Sequence, residues 1–352
     1  HLDYHKTMNN YKFDQTEGAN YGLDDERLRL TGRIAKRFNR ISKRVLQLTG
    51  GIKTQQFNAE EPISRLGNSF STLIWNRNHI KLYDLEFVRL GYSEELINGL
   101  QFSAQLGFEQ RSPLFNTTDQ TFFKWDFDYT SNNPLAPQDF NTAAFNKHSL
   151  AKLNLQAVIH FDQKYMSYPD GKFNLEESKY PTLTVGAEHA FATSDKQYNF
   201  TEIKAELRQE LSLGNKGNLG YAVSSGTFFN AEGISFVDYQ HFNGNRTYLN
   251  FRDTRLTGFN NMPYYDFSTR NTFFEAHIEH NFKGFILGKI PGIRALNLNL
   301  IGGAHTLSTL ENKPYTELNL GIDNLGFGKF KFFRLDYVHS FFGDGSEQAV
   351  VL

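Results

Sequence analysis

The sequence of 352 residues contains no cysteine, only 2 Trp and 3 Met, and 9 Pro. Without cysteine the chain cannot form a disulfide framework, a thiolate zinc site or a cysteine nucleophile. The 37 Lys and Arg nearly balance the 38 Asp and Glu, and no long basic run occurs. This balance gives no electrostatic footprint for nucleic acid and no polybasic membrane anchor. We therefore expect no nucleic-acid partner.

Long apolar runs are also missing, since no stretch approaches the roughly 18 consecutive apolar residues that a membrane helix needs. The mean hydropathy of −0.51 is typical of a soluble chain. Neither measure excludes a membrane β-barrel, in which lipid-facing residues occupy only every second position. The chain begins at His1 without a charged-then-apolar leader. We expect a mature or trimmed fragment.

What the sequence has in abundance is two-residue periodicity. Between residues 100 and 109 the even positions are apolar and the odd positions are polar or glycine, which predicts a strand with one apolar and one polar face. Fourteen segments show such alternation: 10–22, 27–38, 44–56, 80–91, 100–111, 148–162, 181–192, 200–213, 218–230, 268–282, 294–306, 314–323, 330–342 and 347–352.

The length of these segments favours a membrane barrel over a soluble sandwich, because a tilted bilayer crossing takes about 9–11 residues and globular strands average about 5–6. The long connections 57–79, 112–147 and 231–267 alternate with tight ones. The sequence thus predicts an all-β fold, a transmembrane antiparallel β-barrel of about 14 strands with short periplasmic turns and long extracellular loops. A soluble β-sandwich lectin is the minor alternative.

Three details of this topology are less regular. The first strand is predicted to begin near Tyr11, and an even count places both chain ends on the short-turn side. The long connection 163–180 is interpreted as a hairpin whose strands extend beyond the bilayer. The segment Phe122–Tyr129 is assigned to a loop because that assignment preserves the alternation of long and short connections.

Several motifs together resemble a signature of an uncharacterised Bacteroidota outer-membrane family. They comprise Tyr264–Thr269, Glu275–Phe282, Gly284–Leu287, Lys313–Tyr315, Gly321–Lys329 and Phe333–Tyr337, and upstream Lys81–Tyr83, Asn98–Leu100, Arg111–Leu114 and Lys179–Thr182. The resemblance implies an outer-membrane location and full-length members with an N-terminal carboxypeptidase-regulatory-like domain before the barrel. It implies no reaction. We expect residues 1–352 to be a single barrel domain from which that periplasmic domain is absent.

Glu275, His277 and Glu279 share one face of a predicted strand. Imidazole and carboxylates are ligands that zinc accepts, but one strand does not supply the three or four convergent ligands of a metal site. We favour a hydrogen-bonded network with Arg and Lys from neighbouring strands. No metal and no cofactor are expected.

A ladder of alternating charges occupies one face of the segment 200–213. Its members are Glu202, Lys204, Glu206, Arg208 and Glu210. They can set ion selectivity in a water-filled lumen or pair across strands and help to close it, and cross-strand pairing is the more ordinary use. We list these five with Glu275, His277 and Glu279 as lumen-lining candidates.

Catalytic motifs are lacking. Ser340, His339 and Asp336 are close in sequence, yet period two places His339 on the face opposite the other two. There is no G-x-S-x-G elbow, P-loop or H-E-x-x-H motif. We expect no catalytic residue and no enzymatic activity.

The connection 231–267 is rich in aromatic residues and Arg, which protein interfaces favour. Its candidates for contact with a partner or with the barrel are Phe242, Arg246, Tyr248, Phe251, Arg252 and Phe259. The loop can fold outward as a cap or inward as a plug.

The leading hypothesis is a non-enzymatic outer-membrane barrel that acts as the membrane anchor or accessory subunit of an envelope complex for assembly, secretion or uptake. Outer-membrane lipid, lipopolysaccharide and other outer-membrane or periplasmic proteins are its expected partners. A channel or gated transporter with a charged lumen is the alternative, and a barrel enzyme acting on lipid or protein is a third.

Overall fold

The computed structural model describes residues 2–10, 13–22, 26–117, 121–123, 129–168, 171–175, 179–246, 256–328 and 330–351. In this part of the chain the strands are β1 (Leu2–Asn10), β2 (Phe13–Tyr21), β3 (Leu28–Arg37), β4 (Val45–Gln56), β5 (Leu82–Ile97), β6 (Leu100–Pro113), β7 (His148–His160), β8 (Tyr165–Tyr168), β9 (Gly171–Asn174), β10 (Thr182–Phe191), β11 (Phe200–Ser212), β12 (Asn218–Phe229), β13 (Phe273–Asn281), β14 (Asn299–Thr309), β15 (Tyr315–Phe327), β16 (Phe330–Phe342) and β17 (Gly345–Val351).

Fifteen of these strands, counted over the described residues, form one antiparallel sheet whose spatial order is the chain order. The hairpin β8–β9 is a separate two-stranded sheet. The predicted all-β antiparallel fold class is confirmed. The three long connections are the fourth, sixth and tenth in the sheet order and so share one parity, as predicted. The seventh and eleventh connections, β7–β10 and β13–β14, are also long and do not fit the alternation.

The described sheet has one strand more than the 14 predicted segments, and it begins earlier than predicted. The chain forms an additional strand, β1, before Tyr11, and β1 pairs with β2 from Leu2↔Tyr21 to Asn10↔Phe13. Its sequence LDYHKTMNN alternates only weakly, so periodicity missed it. With 15 strands in the described sheet, the expected even count does not hold. Tyr11 itself lies outside the described residues.

Other segments differ from the prediction in their local structure. The connection 57–79 contains α1 (Arg65–Trp75), whose first turn is capped by Ser64 Oγ, which accepts from the Gly67 N–H at 3.3 Å. The segment 163–180 is a hairpin, as expected, but β8–β9 does not extend β7 and β10. Residues 283–296 form short 3-10 helices, so β14 begins at Asn299 and not at residue 294. In Phe122–Tyr129, residues 124–128 lie outside the described part.

The chain divides into two compact units. The first comprises His1–Ala205 and Phe228–Tyr239, and the second comprises Glu206–Thr227 and Gln240–Leu352. The connection between β12 and β13 therefore contributes to both. In the described residues no helix is long and apolar enough to cross a membrane.

The alternating pattern of β6 appears directly in side-chain exposure. Leu106 and Phe108 are both 49% exposed, whereas Glu109 is 4% and Arg111 2% exposed. The apolar face of this strand is thus open, and its charged face is buried. This is the reverse of the arrangement in a soluble protein, where charged groups are rarely buried.

Candidate functional site

In the first unit, the β12–β13 loop is attached to the charged face of the sheet through Asp238. Residues Phe236–Asp238 form a short 3-10 helix and are all buried. Asp238 Oδ2 accepts from Arg111 Nη1 on β6 at 2.6 Å, and Oδ1 lies 3.0 Å from Lys152 Nζ on β7. Burial raises the pKa of the Asp238 carboxyl, but the two cations outweigh it and hold the pKa well below its usual range. Asp238 is therefore ionised, and its carboxylate attaches the loop to the strands.

This contact belongs to a larger ion-pair network. Glu109 receives Arg111 Nη2 at 2.9 Å and Arg89 Nη2 at 2.6 Å, and Lys152 also pairs with Glu188. Together with Asp238, the network contains three cations and three carboxylates. The desolvated charges are balanced, and this balance allows them to be buried.

Apolar residues pack around the network. Leu150 and Ala190 are fully buried, and with Phe200 they contact the loop residues Ala231 and Ile234. The loop therefore covers strands β7, β10 and β11 in the first unit with a dry layer of side chains.

A cluster of aromatic rings forms another contact in the first unit. Phe57 stacks against Tyr83 with ring centroids 5.9 Å apart and meets Phe145 and Phe236 edge-on at 6.0 and 6.2 Å. These rings join three connections and β5 on the same face. Edge-on and stacked pairs of this kind add about 0.5–1.5 kcal/mol each beyond their burial.

Lys81, just before β5, is a buried cation in a loop. It is 5% exposed, and its Nζ donates to the carbonyls of Asn78 and Ser131 at 3.1 and 2.6 Å and to Thr130 Oγ1 at 2.7 Å. Burial lowers its pKa to about 7. Lys81 thus fastens the connection β6–β7 to the entry of β5.

In the second unit, the other half of the β12–β13 loop is attached through Glu317 on β15. Glu317 is fully buried and accepts from the backbone N–H groups of Asn260 at 2.5 Å and Asn261 at 3.1 Å. The Tyr315 hydroxyl donates to the same carboxylate at 2.9 Å. Asn261 Nδ2 donates to Ser340 Oγ on β16 at 3.1 Å.

Phe259 and Arg246 complete the attachment. Phe259 is fully buried, with its ring 4.9 Å from His277 and 5.5 Å from Tyr315. Arg246 Nη1 donates to Glu347 Oε1 on β17 at 2.8 Å. The loop therefore lies against the polar face of β13–β17 in the second unit.

Beneath Phe259 runs a chain of hydrogen bonds with a fixed direction. Asn319 Nδ2 donates to Asp336 Oδ1 at 3.1 Å, which turns Asn319 Oδ1 toward His305 Nε2 at 3.2 Å. His305 therefore donates from Nε2 and accepts at Nδ1, where His277 Nδ1 lies 2.9 Å away. His277 must donate there.

The other end of this chain is Glu275, whose Oε1 lies 2.9 Å from His277 Nε2. Because His277 already donates from Nδ1, this contact requires one further proton between the imidazole and the carboxylate. Glu275 and His277 thus form a proton-sharing pair on one strand, whereas the sequence predicted partners among Arg and Lys of neighbouring strands. The third member, Glu279, pairs with Arg334 on β16 at 2.7 Å.

These residues do not form a metal centre. Among the described residues, no three His, Asp or Glu side chains are grouped to hold a metal ion. The two imidazoles face one another through Nδ1, and Glu279 is bound to Arg334. On this strand face Glu275 therefore contacts His277, and Glu279 contacts Arg334.

The charge ladder on β11 is split between the units. In the first unit, Glu202 is buried and Lys204 is exposed, and their charged atoms are 3.9 Å apart. In the second, Arg208 Nη2 lies 3.4 Å from Glu210 Oε1. Both pairs run along the strand and not across strands, which differs from the favoured prediction. Glu206, also in the second unit, is half-buried.

The predicted loop candidates have different outcomes. Phe242 is 2% exposed and packs edge-on against Phe273 at 5.4 Å, so Phe242 and Phe259 both support inward folding. Tyr248, Phe251 and Arg252 lie outside the described residues.

Sequence reasoning missed the residues that carry most of the attachment. These are Asp238, Arg111, Lys152, His305 and Glu317. Four of them, all but Asp238, lie on the polar faces of strands, and that position was the signal in the sequence that could have identified them. Nothing local in the sequence marked Asp238 as the partner of Arg111 and Lys152, because Asp238 lies 127 positions from Arg111 in the chain.

The hydrolase-like group is separated as period two predicted. Ser340 Oγ contacts Asn261, and Asp336 receives Arg334 Nε at 2.5 Å. The His339 ring instead stacks on Phe341 with centroids 4.4 Å apart. These three residues form no triad.

The chain matches the model of a family of unknown function, the DUF5686 C-terminal domain, over residues 1–322. The chain belongs to this family. A match to an uncharacterised family was expected from the motifs. No curated protein matches the DUF5686 chain significantly. Among solved structures, it is similar to BamA from Haemophilus ducreyi lacking POTRA domains 1–3, with a TM-score of 0.49 and 8% identity over 99% of this chain and 67% of that one.

Proposed function

We propose that this DUF5686 domain is an integral outer-membrane β-barrel without enzymatic activity, acting as the membrane anchor or accessory subunit of an envelope complex for assembly, secretion or uptake. The observation that carries this proposal is a continuous exposed apolar face on the strands. Ile34, Leu48, Leu90 and Leu106 are register partners on β3, β4, β5 and β6 and are 46–50% exposed. These four side chains form an apolar row across four neighbouring strands.

In water such a row would form an apolar patch beyond what monomeric soluble proteins expose. Lipid acyl chains that cover these side chains would remove the free-energy cost of exposing them to water, about 25 cal/mol per Å² of apolar area covered. The second unit repeats the pattern, with Phe274, Ile278, Leu318 and Leu320 at 44–57% exposure. A closed antiparallel sheet with lipid outside satisfies every backbone group in the membrane.

The opposite face supports the anchor role over a simple pore. In each unit taken separately, the β12–β13 loop lies against charged strand residues, through Asp238 in the first and Glu317 in the second. A polar face covered by a tightly bound loop favours a plugged barrel. Outer-membrane lipid, lipopolysaccharide and other envelope proteins are the partners this proposal requires, and nucleic acid is not among them.

A channel or gated transporter is the second candidate. It is favoured by the ladder on β11, where the side chains of Lys204, Arg208 and Glu210 are 54%, 41% and 62% exposed. Exposed charges of both signs on a polar face are suited to a hydrated passage.

Two measurements test these proposals. Expressed with an outer-membrane signal sequence, the protein should fractionate with the outer membrane, resist urea extraction and require detergent to remain monodisperse. A monodisperse species in detergent-free buffer would refute the membrane assignment. In planar bilayers, silence supports the plugged anchor, whereas a steady open current supports the channel.

A further inference from the structure

A cavity of about 330 Å³ opens on the polar face of the first unit, bordered by β4–β7, β10 and β11. The carboxamides of Gln105, Asn154 and Gln156 line it together with Gln47, whose Oε1 accepts from Arg33, and with the charged side chains Glu188, Glu202 and Lys204. Its size is near the lower end of the range of small-molecule sites, about 300–1,000 Å³. It shares Glu188 with the ion-pair network described above.

Two strand glycines border this hollow, and at Gly91 the space of a Cβ is already taken by Gln47, 2.8 Å away. Gly91 is the cross-strand partner of Gln105, and Gly186 is the partner of Gln156. Neither glycine adopts a left-handed backbone conformation, so the turn geometry of the chain does not require them. A Cβ at Gly186 would make only ordinary contacts, the nearest at 3.5 Å to Lys204. Glycine within a strand often marks a place where a ligand approaches the backbone.

Glu202 gives this cavity a specific chemical requirement. It is only 7% exposed, yet in the described part of the chain its Oε1 has no hydrogen-bond partner. The nearest cation, Lys204 Nζ, is 3.9 Å from the other oxygen and sits on an exposed side chain. By contrast, Glu188 pairs with Lys152. A buried acceptor left without a donor is costly, and because Oε1 is itself closed to solvent, the Glu202 carboxylate must turn toward the cavity before an occupant can donate to it.

The lining discriminates between classes of occupant. An anion would meet two carboxylates, Glu188 and Glu202, against one cation, Lys204, whose side chain is 54% exposed. A cation would satisfy those carboxylates but leave the carboxamide N–H donors of Gln105, Asn154 and Gln156 without acceptors. Hydroxyl groups both donate and accept, so they match the carboxamides and the carboxylate together.

We propose that this cavity binds a neutral, hydroxyl-rich ligand, a saccharide no larger than a disaccharide. Glu202 accepts from a sugar hydroxyl, and the three carboxamides exchange hydrogen bonds with the others. The inference needs only the polar face of the first unit and does not depend on the anchor or channel role.

The test is direct binding to the full chain folded in lauryldimethylamine oxide, because maltoside detergents carry a sugar that would compete. Glucose, galactose, maltose and lactose are titrated separately by calorimetry, with spermidine and inorganic phosphate as cationic and anionic probes. We expect saturable binding of at least one sugar and none of spermidine or phosphate. Binding of no sugar, or of spermidine alone, overturns the proposal.

Variants then locate the site. Glu202→Ala should weaken sugar binding at least tenfold, and Gly186→Val should abolish it by filling the cavity. The matched control is Gly32→Val on β3, where a Cβ meets nothing within 4 Å. It should bind sugar as the wild type does. Heat-modifiable migration on gels verifies folding, and unchanged binding by both folded cavity variants would place the sugar elsewhere.

Discussion

Removing the carboxylate of Asp238 should destabilise the first unit far more than removing an exposed one. The Asp238 side chain is fully buried, and its partners Arg111 and Lys152 have side chains that are 3% and 13% exposed. In Asp238→Ala these cations keep only Glu109 and Glu188 as counter-charges. Breaking a buried pair in this way costs about 3–5 kcal/mol.

The matched control is Asp344→Ala, which removes the exposed pair with Lys313, whose side chains are 96% and 66% exposed. Exposed pairs contribute about 0–1 kcal/mol. A third variant, Asp238→Asn, keeps a hydrogen-bond acceptor and removes the charge, so its effect should lie between those of the other two.

The free energy of unfolding is measured by urea titration in lipid vesicles, with tryptophan fluorescence and gel migration as independent probes. Limited proteolysis is followed in parallel at residues 231–239, where cleavage should accelerate in Asp238→Ala. The reasoning is refuted if Asp238→Ala is no more destabilising than Asp344→Ala, or if the loop is cleaved at the wild-type rate.

Three further outcomes are expected. Glu317→Ala leaves two backbone N–H groups and a tyrosine hydroxyl without their acceptor, at about 1–3 kcal/mol each. It should lower the urea midpoint and speed cleavage at 256–264, and Glu317→Gln should have a smaller effect. A urea midpoint equal to that of the wild type would contradict this. The pKa of Lys81 is lowered from 10.5 to about 7. Between pH 7 and 10.5 the unfolded chain therefore holds more protons than the folded one, and the free energy of unfolding rises with pH by at most about 1.4 kcal/mol per pH unit. Lys81→Met should remove that rise, and an unchanged dependence on pH would show that Lys81 does not cause it. Leu90→Lys should cost about 2–4 kcal/mol in vesicles if it faces lipid. The control Gln138→Lys, at an exposed position in the β6–β7 connection, should cost little. Equal effects would argue against a lipid-facing row.

Periodicity predicted the strands that alternate strongly and the faces they present. On β6, the same pattern that defined the strand also placed Glu109 and Arg111 on its buried polar face. It failed for β1, whose sequence LDYHKTMNN alternates only weakly. It also failed to anticipate α1 within a connection interpreted as irregular, where Ser64 caps the first turn.

The candidate site was predicted only in part because its contacts are distant in sequence. The strand face of Glu275, His277 and Glu279 was identified, but His305 is reached only through the register of β13 with β14. Strand register depends on pairing between segments, which a single strand's pattern does not contain. The inward position of Phe259 likewise depends on rings contributed by β13 and β15.

The two attachments of the β12–β13 loop use carboxylates in opposite ways. In the first unit the loop supplies the carboxylate, Asp238, and the strands supply the cations. In the second a strand supplies the carboxylate, Glu317, and the loop supplies backbone N–H donors at Asn260 and Asn261. Substituting either carboxylate should therefore release one part of the loop and leave the other attached. Proteolysis of the two single variants distinguishes this from a loop that opens as a whole: separate cleavage at 231–239 or 256–264 supports independent attachments, and cleavage at both places in each variant contradicts them.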